Sequence, residues 1–273
     1  MKTLKSNGVF KQSIPGLYSI RVISDGGNLS CSKIGFLNHV AEFYGNGYVT
    51  ICSRGCLEIP SIKEENLDTV LNLLNDKDLR TTVTGRLVHP VTSCRGTVCR
   101  NGTIDTQGLA NTLQLNLLGL TLPNKINIGV IGCSNNCLKS QNNEIYVRPY
   151  TKVSINSSNC SSCGQCIKKC KFNALTLNNS KKITLDTTLC TQCGKCINSC
   201  LFNSLCSDKV YYKIFVKNSD THLNSYKELS IKLSEDELVT KIKTILDYYI
   251  ANSIDNESFA SFVQRLFENI NTL

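Results

Sequence analysis

The sequence predicts an α+β fold that is interrupted by a small, cysteine-rich insert. Strand-like and helix-like patterns alternate near both ends of the 273-residue chain. Between them, residues 151–207 contain a doubled run of eight cysteines, half of the sixteen in the chain. Because both kinds of element occur on each side of this run, we expect one α+β domain that the insert interrupts.

The composition is that of a protein with an ordinary hydrophobic core, with 41% hydrophobic and 19% charged residues. No apolar run approaches the ~20 residues of a membrane-spanning helix. Residues Met1–Tyr18 lack the ~7–15-residue apolar core of a signal peptide. We therefore expect a cytoplasmic protein whose cysteines bind metal. The net charge of +9 is diffuse and tryptophan is absent, which argues against a nucleic-acid partner.

Five segments are predicted to be strands because they are rich in valine, isoleucine and tyrosine. These segments are Tyr18–Ile23, Gly47–Ser53, Asn127–Ile131, Glu144–Val147 and Lys209–Val216. They lie on both sides of the cysteine run, so the insert interrupts a region that contains β-structure.

Helical spacing of apolar residues predicts helices over Glu64–Asn75 and Ile104–Leu118. Ser234 stands three residues before a glutamate, a capping box that opens a helix running to about Ile250. Asp255 is the predicted N-cap of a last helix. These helices also flank the insert on both sides.

The pattern C-x2-C-x2-C-x3-C occurs twice, with equivalent cysteines thirty residues apart. Such a loop wraps three corners of a cubane [4Fe–4S] cluster, and the fourth cysteine of each run ligates the other cluster, as in bacterial ferredoxins. One predicted ligand set is Cys160, Cys163, Cys166 and Cys200, and the other is Cys170, Cys190, Cys193 and Cys196. Zinc also uses C-x2-C pairs, but the doubled arrangement favours two clusters.

A second group of cysteines lies upstream of the insert. Cys94 and Cys99 form one pair, and Cys133 and Cys137 form another directly after a glycine. From spacing alone, this group fits zinc, a [4Fe–4S] cluster or free thiols. The cysteines without ligand spacing are interpreted as buried thiols, and they are Cys31, Cys52, Cys56 and Cys206.

The G-C-x-N-x-C element around Cys133 and Cys137 resembles that of sirohaem-dependent sulfite and nitrite reductases. Cys94 and Cys99 resemble the upstream cysteine pair of that family. Further similar segments are Ser19–Arg21, Tyr48–Arg54, Leu122–Asn127 and Glu257–Leu266. The resemblance covers nearly the whole chain. With its half-size length and ferredoxin insert, the chain is similar to the C subunits of anaerobic sulfite reductases.

This resemblance implies a half-size nitrite/sulfite reductase repeat with an inserted bacterial-type two-cluster ferredoxin domain. Residues 1–63 would form the ferredoxin-like half domain of the family. Residues 64–150 and 208–273 would form the two parts of a sirohaem/[4Fe–4S] domain. Residues 151–207 would form the insert between those two parts.

The resemblance also implies six-electron reduction of sulfite to sulfide, with sirohaem and three [4Fe–4S] clusters as cofactors. Cys94, Cys99, Cys133 and Cys137 would hold the cluster coupled to sirohaem, and Cys137 would be the bridging thiolate. Because sirohaem carboxylates and sulfite are anions, the site needs fixed cations. The residues implied for catalysis are Arg21, Arg95 and Lys125, and those implied for cofactor binding are Arg54, Arg100, Cys137 and Lys217.

The chain departs from the family pattern in several places. Asn127 replaces a second lysine, and the first cysteine pair is one residue shorter than is typical. After the strand that ends at Val216, a glycine-rich basic loop is missing, which leaves Lys217 and His222. Lys171 and Leu201 replace the proline that usually follows each ferredoxin run.

A half-size chain predicts a homodimer, or a hetero-oligomer with a second subunit, that rebuilds the two-repeat arrangement of full-length relatives. No flavin or nicotinamide fingerprint is present, so reducing power would come from electron-donating subunits of ferredoxin-like and flavin/NADH type. Two hypotheses follow. The chain is a sulfite reductase subunit, with nitrite as an alternative substrate, or a polyferredoxin-like carrier whose sirohaem site has decayed.

Overall fold

The computed structural model describes residues 8–82, 84–139, 142–207, 209–220, 225–229 and 232–273. His222 lies outside these ranges. The strands are β1 (Val9–Lys11), β2 (Leu17–Ile23), β3 (Thr50–Ile51), β4 (Cys56–Lys63), β5 (Thr92–Ser93), β6 (Ile128–Val130), β7 (Ile145–Thr151), β8 (Ser154–Ile155), β9 (Leu175–Leu177), β10 (Ile183–Leu185), β11 (Leu205–Cys206), β12 (Val210–Lys217) and β13 (Tyr226–Glu228). The α-helices are α1 (Cys31–Tyr44), α2 (Leu67–Asp76), α3 (Thr106–Leu117), α4 (Gln165–Lys169), α5 (Glu235–Asn252) and α6 (Phe259–Thr272).

The N-terminal part is a four-stranded antiparallel sheet in the order β1-β2-β4-β3, with α1 and α2 on it. Its hydrophobic core runs from Val9 to Leu79 and includes Leu67, Val70 and Leu74 of α2. The core therefore uses residues on both sides of the predicted boundary at residue 63. A short 3₁₀ turn occupies the start of the predicted helix, so α2 begins at Leu67.

The sequence prediction missed one helix and one strand of the N-terminal part, α1 and β4. Helix α1 is capped by Ser30, whose hydroxyl accepts a hydrogen bond from the Lys33 amide at 3.2 Å. Its apolar residues do not form one clean stripe, which is why helical spacing missed it. Strand β4 contains Pro60, which the ladder accommodates beside a register shift opposite Tyr18 and Ile20. The predicted strand over 47–53 is reduced to β3.

The second sheet has the order β13-β12-β7-β6-β5. Its strands β5, β6 and β7 are parallel, and β12 and β13 continue the sheet in antiparallel pairs. Helices α3, α5 and α6 cover it with a core that includes the fully buried rings of Tyr249, Phe259 and Phe262. The predictions of β6, β7, β12, α3 and α5 are confirmed to within a few residues at each end.

The cap of the last helix differs from the prediction. The capping box at Ser234 is present, and its amide donates to Glu237 at 2.8 Å. Helix α6, however, is capped by Ser258, which accepts from the Ser261 amide at 3.1 Å. Asp255 lies in the turn before it, so the prediction that Asp255 is the cap was wrong. Both residue types cap helices, and the sequence alone did not rank the two positions.

The insert leaves the second sheet after β7 and returns to it at β12. It contains two two-stranded ribbons, β9–β10 and β8–β11, and the five-residue helix α4. Its buried apolar residues are few, and they are Val153, Ala174, Leu175, Ile183 and Leu205, with the thiols of Cys166 and Cys196. In the part of the chain that the structure describes, no helix combines the length and apolarity needed to cross a membrane.

Candidate metal centres

Four cysteines meet around a cavity of about 370 Å³ at one edge of the second sheet. Cys94 and Cys99 lie in the loop after β5, and Cys133 and Cys137 lie in the loop after β6. Because β5 and β6 are adjacent and parallel, their following loops emerge at the same edge of the sheet. We call these four residues the upstream set.

The backbone around the upstream set points amide hydrogens at sulfur. The Gly132 amide donates to the Cys94 Sγ at 3.2 Å, and the Asn101 amide donates to the Cys99 Sγ at 3.4 Å. Both hydrogen bonds fix the loop backbone against a sulfur atom that lines the cavity. Cys133 is buried, whereas Cys99 and Cys137 are exposed, so the cavity is open on one side.

Close backbone packing fixes the two loops against each other. A Cβ on Gly132 would lie 2.9 Å from the Thr106 Cγ2 and 3.2 Å from the Gly96 Cα. Thr106 is fully buried; its hydroxyl donates to the Cys94 carbonyl at 2.7 Å and accepts from the Gly96 amide at 2.9 Å. Glycine is required at these positions because any side chain would push the cysteine loops apart.

Two further cavities lie within the insert, and each is lined by one of the predicted ligand sets. The proximal set consists of Cys170, Cys190, Cys193 and Cys196, with Leu175 and Leu185 beside it. The distal set consists of Cys160, Cys163, Cys166 and Cys200, with Leu177 and Ile183 beside it. The fourth cysteine of each run therefore lies with the first three cysteines of the other run, as the spacing predicts.

The insert cavities are poor environments for free thiolates. Burial, together with the neighbouring Cys193 and Cys190 thiols, raises the pKa of Cys196 to about 12. Burial also raises the pKa values of Cys166 and Cys190. Thiolates at these positions would require a cation beside them, and the iron of a cluster would supply one.

Among the residues that the structure describes, no three His, Cys, Asp or Glu side chains form a group that could hold a single metal ion. The cysteines of each set instead surround a shared cavity. Four thiols around a shared space suit a multi-atom cluster, which is bound through one thiolate at each of its iron atoms. The residues present therefore fit [4Fe–4S] clusters at all three positions.

A separate cavity of about 260 Å³ joins the upstream set to the proximal set. Cys133 and Cys193 both line it, together with Arg148 and Phe172. Sequence reasoning missed this junction, because its two cysteines are sixty residues apart and no local pattern relates them.

Contacts between the insert and the second sheet hold that junction in place. The Thr151 amide at the end of β7 donates to the Gln192 carbonyl at 2.8 Å. The Lys195 ammonium donates to the Asn135 side chain at 2.7 Å, and the Asn198 side chain donates to the Gly102 carbonyl at 3.2 Å. The proximal set is therefore anchored directly against the loops that carry the upstream set.

The predicted basic residues fall into two groups. Arg95 lines the cavity of the upstream set. Arg100 lines an adjoining cavity of about 190 Å³ with Lys169 and Lys195 of the insert. Asn101 lines both cavities, so these cations surround the open side of the upstream set.

The other four predicted basic residues are not among the side chains that line the upstream cavity. Arg21 on β2 donates to Glu58 on β4 through Nε at 2.9 Å and Nη2 at 2.6 Å, and its guanidinium lies over the Phe10 ring. Arg54 is mostly buried and donates to the Pro90 carbonyl at 2.8 Å. Burial lowers the pKa of Arg54, and its Nε has no partner within the described residues.

Lys125 and Lys217 lie at the opposite end of the sheet from the cysteines. Lys125 is exposed just before β6 begins, and Lys217 ends β12 beside the start of β7. The Lys217 amide donates to the carbonyl of Glu144 at 2.8 Å, and burial raises the pKa of that glutamate. Strand β6 thus separates Lys125 at its beginning from Cys133 after its end.

The fold and the cysteine cavities define an iron–sulfur protein with an α+β framework. Residues 11–77 match the family described as the nitrite/sulfite reductase ferredoxin-like half domain. Residues 84–267 match the nitrite and sulphite reductase 4Fe–4S domain. The chain therefore belongs to the nitrite and sulfite reductase family of oxidoreductases, and the predicted family and fold class are confirmed.

Three relatives show the same similarity. An uncharacterized protein of Methanocaldococcus jannaschii, MJ0551, is 30% identical over 58% of this chain and 57% of its own length. The coenzyme F420-dependent sulfite reductase of the same organism is 29% identical over 64% of this chain and 28% of its own length. The C subunit of the anaerobic sulfite reductase of Salmonella typhimurium is 26% identical over 66% of this chain and 58% of its own length. The matches thus span from about a quarter to under two thirds of these relatives.

The fold matches a solved structure of the same family. The crystal structure of dissimilatory sulfite reductase I superposes on 93% of this chain and 68% of its own chain, with a TM-score of 0.72 and 18% identity. At this identity, the likeness shows the fold alone.

Proposed function

We propose that the chain is the catalytic subunit of a sirohaem-dependent sulfite reductase that reduces sulfite to sulfide with six electrons. One observation carries the proposal. The upstream set surrounds a cavity that is open on the side of Cys99 and Cys137 and is bordered there by Arg95 and Arg100. A cluster with exposed thiolates beside cations is an arrangement that suits a polycarboxylate haem.

Sirohaem would supply the iron that binds sulfite and the redox chemistry of S–O bond cleavage. Cys137 would be its thiolate ligand, since it is the exposed cysteine of the G-C-x-N-x-C element. Arg100 would hold its carboxylates through charge-assisted hydrogen bonds, and Arg95, which lines the cavity of the upstream set, would act on sulfite. Clustering of these side chains at the open side of the cavity supports the assignment.

The residues proposed to bind sulfite are Arg21 and Lys125, with Arg54 and Lys217 proposed for the cofactor. Lys125 and Lys217 lie at the edge of the sheet where β6 and β7 begin, and the cysteine loops lie where β5 and β6 end. We therefore propose that the cluster and these cations come from different chains. In a homodimer, or in a complex with a second subunit, the end of the sheet that carries the cysteine loops of one chain would face the end that carries the cations of the other chain.

The electron path proposed for this subunit runs from the distal set to the proximal set and then to the upstream set. The cavity shared by Cys133 and Cys193 supports the second step. No cysteine of the distal set lines the cavity that contains Cys133, which supports its position at the entry of the path. Each step transfers one electron between clusters and makes or breaks no covalent bond.

The test is anaerobic purification, followed by iron and sulfide analysis, haem extraction and an assay of sulfite-dependent oxidation of reduced methyl viologen. We expect extractable sirohaem, iron for three clusters and sulfide as product. Cys137→Ser should lower activity at least about 100-fold, with loss of extractable haem. The matched control is Cys206→Ser, a half-buried thiol that bonds to Ser154 and should leave activity unchanged.

Two outcomes would contradict the proposal. Iron for two clusters and no haem, from cells that make sirohaem, would leave an electron carrier that has lost the haem site. Turnover with nitrite but not with sulfite would keep the enzyme and replace its substrate.

A further inference from the structure

The insert carries an unusual share of the positive charge of the chain. Residues 151–207 contain seven lysines, no arginine and a single acidic residue, Asp186. They therefore hold six of the nine net positive charges in about a fifth of the length. Five of these lysines are exposed, and they are Lys152, Lys168, Lys169, Lys171 and Lys181.

Several of these lysines lie around the distal set. Lys182 donates to the Cys160 carbonyl at 2.9 Å, and the Lys181 carbonyl accepts a hydrogen bond from the Ser162 hydroxyl. Lys168 lies in the last turn of α4, whose N-cap, Gly164, lines the same cavity. Since α4 has five residues, Lys168 is within about 7 Å of that cap along the helix axis.

Apolar side chains are exposed at the same place. Leu177 and Phe202 both line the cavity of the distal set and are 38% and 49% exposed. Leu201, between Cys200 and Phe202, is 86% exposed. Cys163 is itself exposed. We call the surface formed by Cys163, Lys168, Leu177, Lys181, Leu201 and Phe202 the distal face.

An apolar patch ringed by charges of one sign is the composition of a protein-binding surface, because the apolar part supplies affinity and the charges steer the partner. The distal face also covers the cluster that lies farthest from the upstream set along the proposed path. Electron transfer needs only a brief encounter that brings two clusters close together, and a small charged interface suits such an encounter.

We propose that the distal face is the docking site of an acidic electron-transfer protein, which passes electrons one at a time to the distal cluster. This inference takes one element from the proposed function, which is that electrons enter at the distal cluster. In each encounter the donor is oxidised by one electron and the distal cluster is reduced by one electron. The partner is identified by its chemistry: a negatively charged surface around an exposed redox centre.

The test uses the anaerobically purified, cluster-loaded chain and a reduced two-cluster bacterial ferredoxin of net negative charge as the probe. Bleaching of the chain's visible cluster absorption is followed by stopped flow. Lys168→Glu/Lys181→Glu should slow reduction by ferredoxin about 10-fold at low salt. The difference should shrink as ionic strength rises towards about 1 M, where the Debye length is only ~3 Å.

Two controls make the result specific. Lys63→Glu/Lys243→Glu makes the same charge change at two exposed lysines outside the insert, and it should reduce the rate less than about twofold. Reduced methyl viologen, a small cation, should reduce the Lys168→Glu/Lys181→Glu variant at least as fast as the parent chain. This second control shows that the clusters of the variant are intact.

The outcomes separate this inference from the proposed function. Equal ferredoxin rates for both double variants, or no dependence on salt, would overturn the docking site. Bleaching that depends on Lys168 and Lys181, in a chain that lacks sulfite turnover, would support the docking site and count against the proposed enzyme. Cluster bleaching does not require sirohaem or sulfite, so the two results are independent.

Discussion

The insert and the framework, by which we mean the described residues outside 151–207, hold themselves together in different ways. The framework buries large side chains such as Leu113, Ile245 and Phe262 in two extended cores. The insert buries only five aliphatic side chains, one of them the small Ala174, around its cysteines. A region with so small a core would gain its stability from bound metal. We therefore expect cofactor loading to decide whether the insert folds, and the framework to fold without it.

The largest expected effect comes from removing one cluster ligand of the insert. Cys170→Ser should abolish the cluster of the proximal set, although Cys170 belongs to the first cysteine run, and should lower bound iron by at least about a third. The insert should become sensitive to protease while the framework stays resistant. Iron analysis and limited proteolysis measure both, with Cys206→Ser as the control. Full iron content in Cys170→Ser would contradict the assignment of Cys170 to the cluster of the proximal set.

A core substitution in the framework should lower stability without lowering the iron content. Phe262 is fully buried against Tyr248, Tyr249 and Phe259. Phe262→Ala should lower the free energy of unfolding by about 3–5 kcal/mol and leave the iron content of the folded protein unchanged.

Anaerobic denaturant titration followed by circular dichroism measures the loss in Phe262→Ala. Phe43→Ala, at a ring that is 70% exposed, is the control and should change stability by less than about 0.5 kcal/mol. Loss of the insert clusters in folded Phe262→Ala would show that the two regions depend on each other for stability.

A smaller effect is expected where the two cysteine loops of the framework pack against each other. Gly132→Ala would place a methyl group against Thr106 and Gly96, and we expect a loss of about 1–3 kcal/mol with faster release of iron from the upstream cluster. Gly35→Ala is the control, since a Cβ at this exposed position in α1 meets nothing within 4 Å, and it should stabilise the helix by about 0.5–1 kcal/mol.

Iron release to a chelator, followed at the visible absorption of the clusters, measures the effect of Gly132→Ala. Equal release rates in Gly132→Ala and Gly35→Ala would mean that the close packing at Gly132 does not hold the cysteine loops.

The smallest effect is on pH dependence. Burial disfavours the ionised form of Glu58, but hydrogen bonds from Arg21, Ser19 and Cys52, together with the positive charge of Arg21, outweigh burial and hold the pKa of Glu58 below its usual value. The contribution of the ion pair is therefore full above the unfolded pKa of about 4.3 and is lost as pH falls through the lower folded pKa. The stability difference between the parent chain and Glu58→Gln should shrink below about pH 4. A difference that is constant from pH 3 to pH 7 would contradict the ion pair.

The cysteine ligand sets were the part of the site that the sequence predicted best. In each of the two sets of the insert, three cysteines lie within seven residues, so their mutual placement depends on one loop. Amphipathic helices such as α3 and α5 were predicted for the same reason, because 3.6-residue periodicity is a local signal. Helix α1 and strand β4 were missed because their local signals are weak and their faces are defined only by packing.

The positions of the arginine and lysine side chains could not be predicted from local sequence patterns. Arg21 on β2 meets Glu58 on β4, and Arg54 turns towards the Pro90 carbonyl, through contacts between residues more than thirty positions apart. A motif names the residue type but does not show which neighbour a long side chain reaches. Their roles at the site therefore remain predictions for mutagenesis.

By itself, the sequence determined the family and predicted the cysteine sets and the insert, because these depend on residue type and on spacing within single loops. Only the tertiary structure decided that Cys133 and Cys193 share a cavity, that the cysteine loops and Lys125 lie at opposite ends of β6, and that Cys163 of the distal set is exposed. Parallel strands bring their loops together at one edge of the sheet, so sheet order, which no local pattern contains, sets these distances.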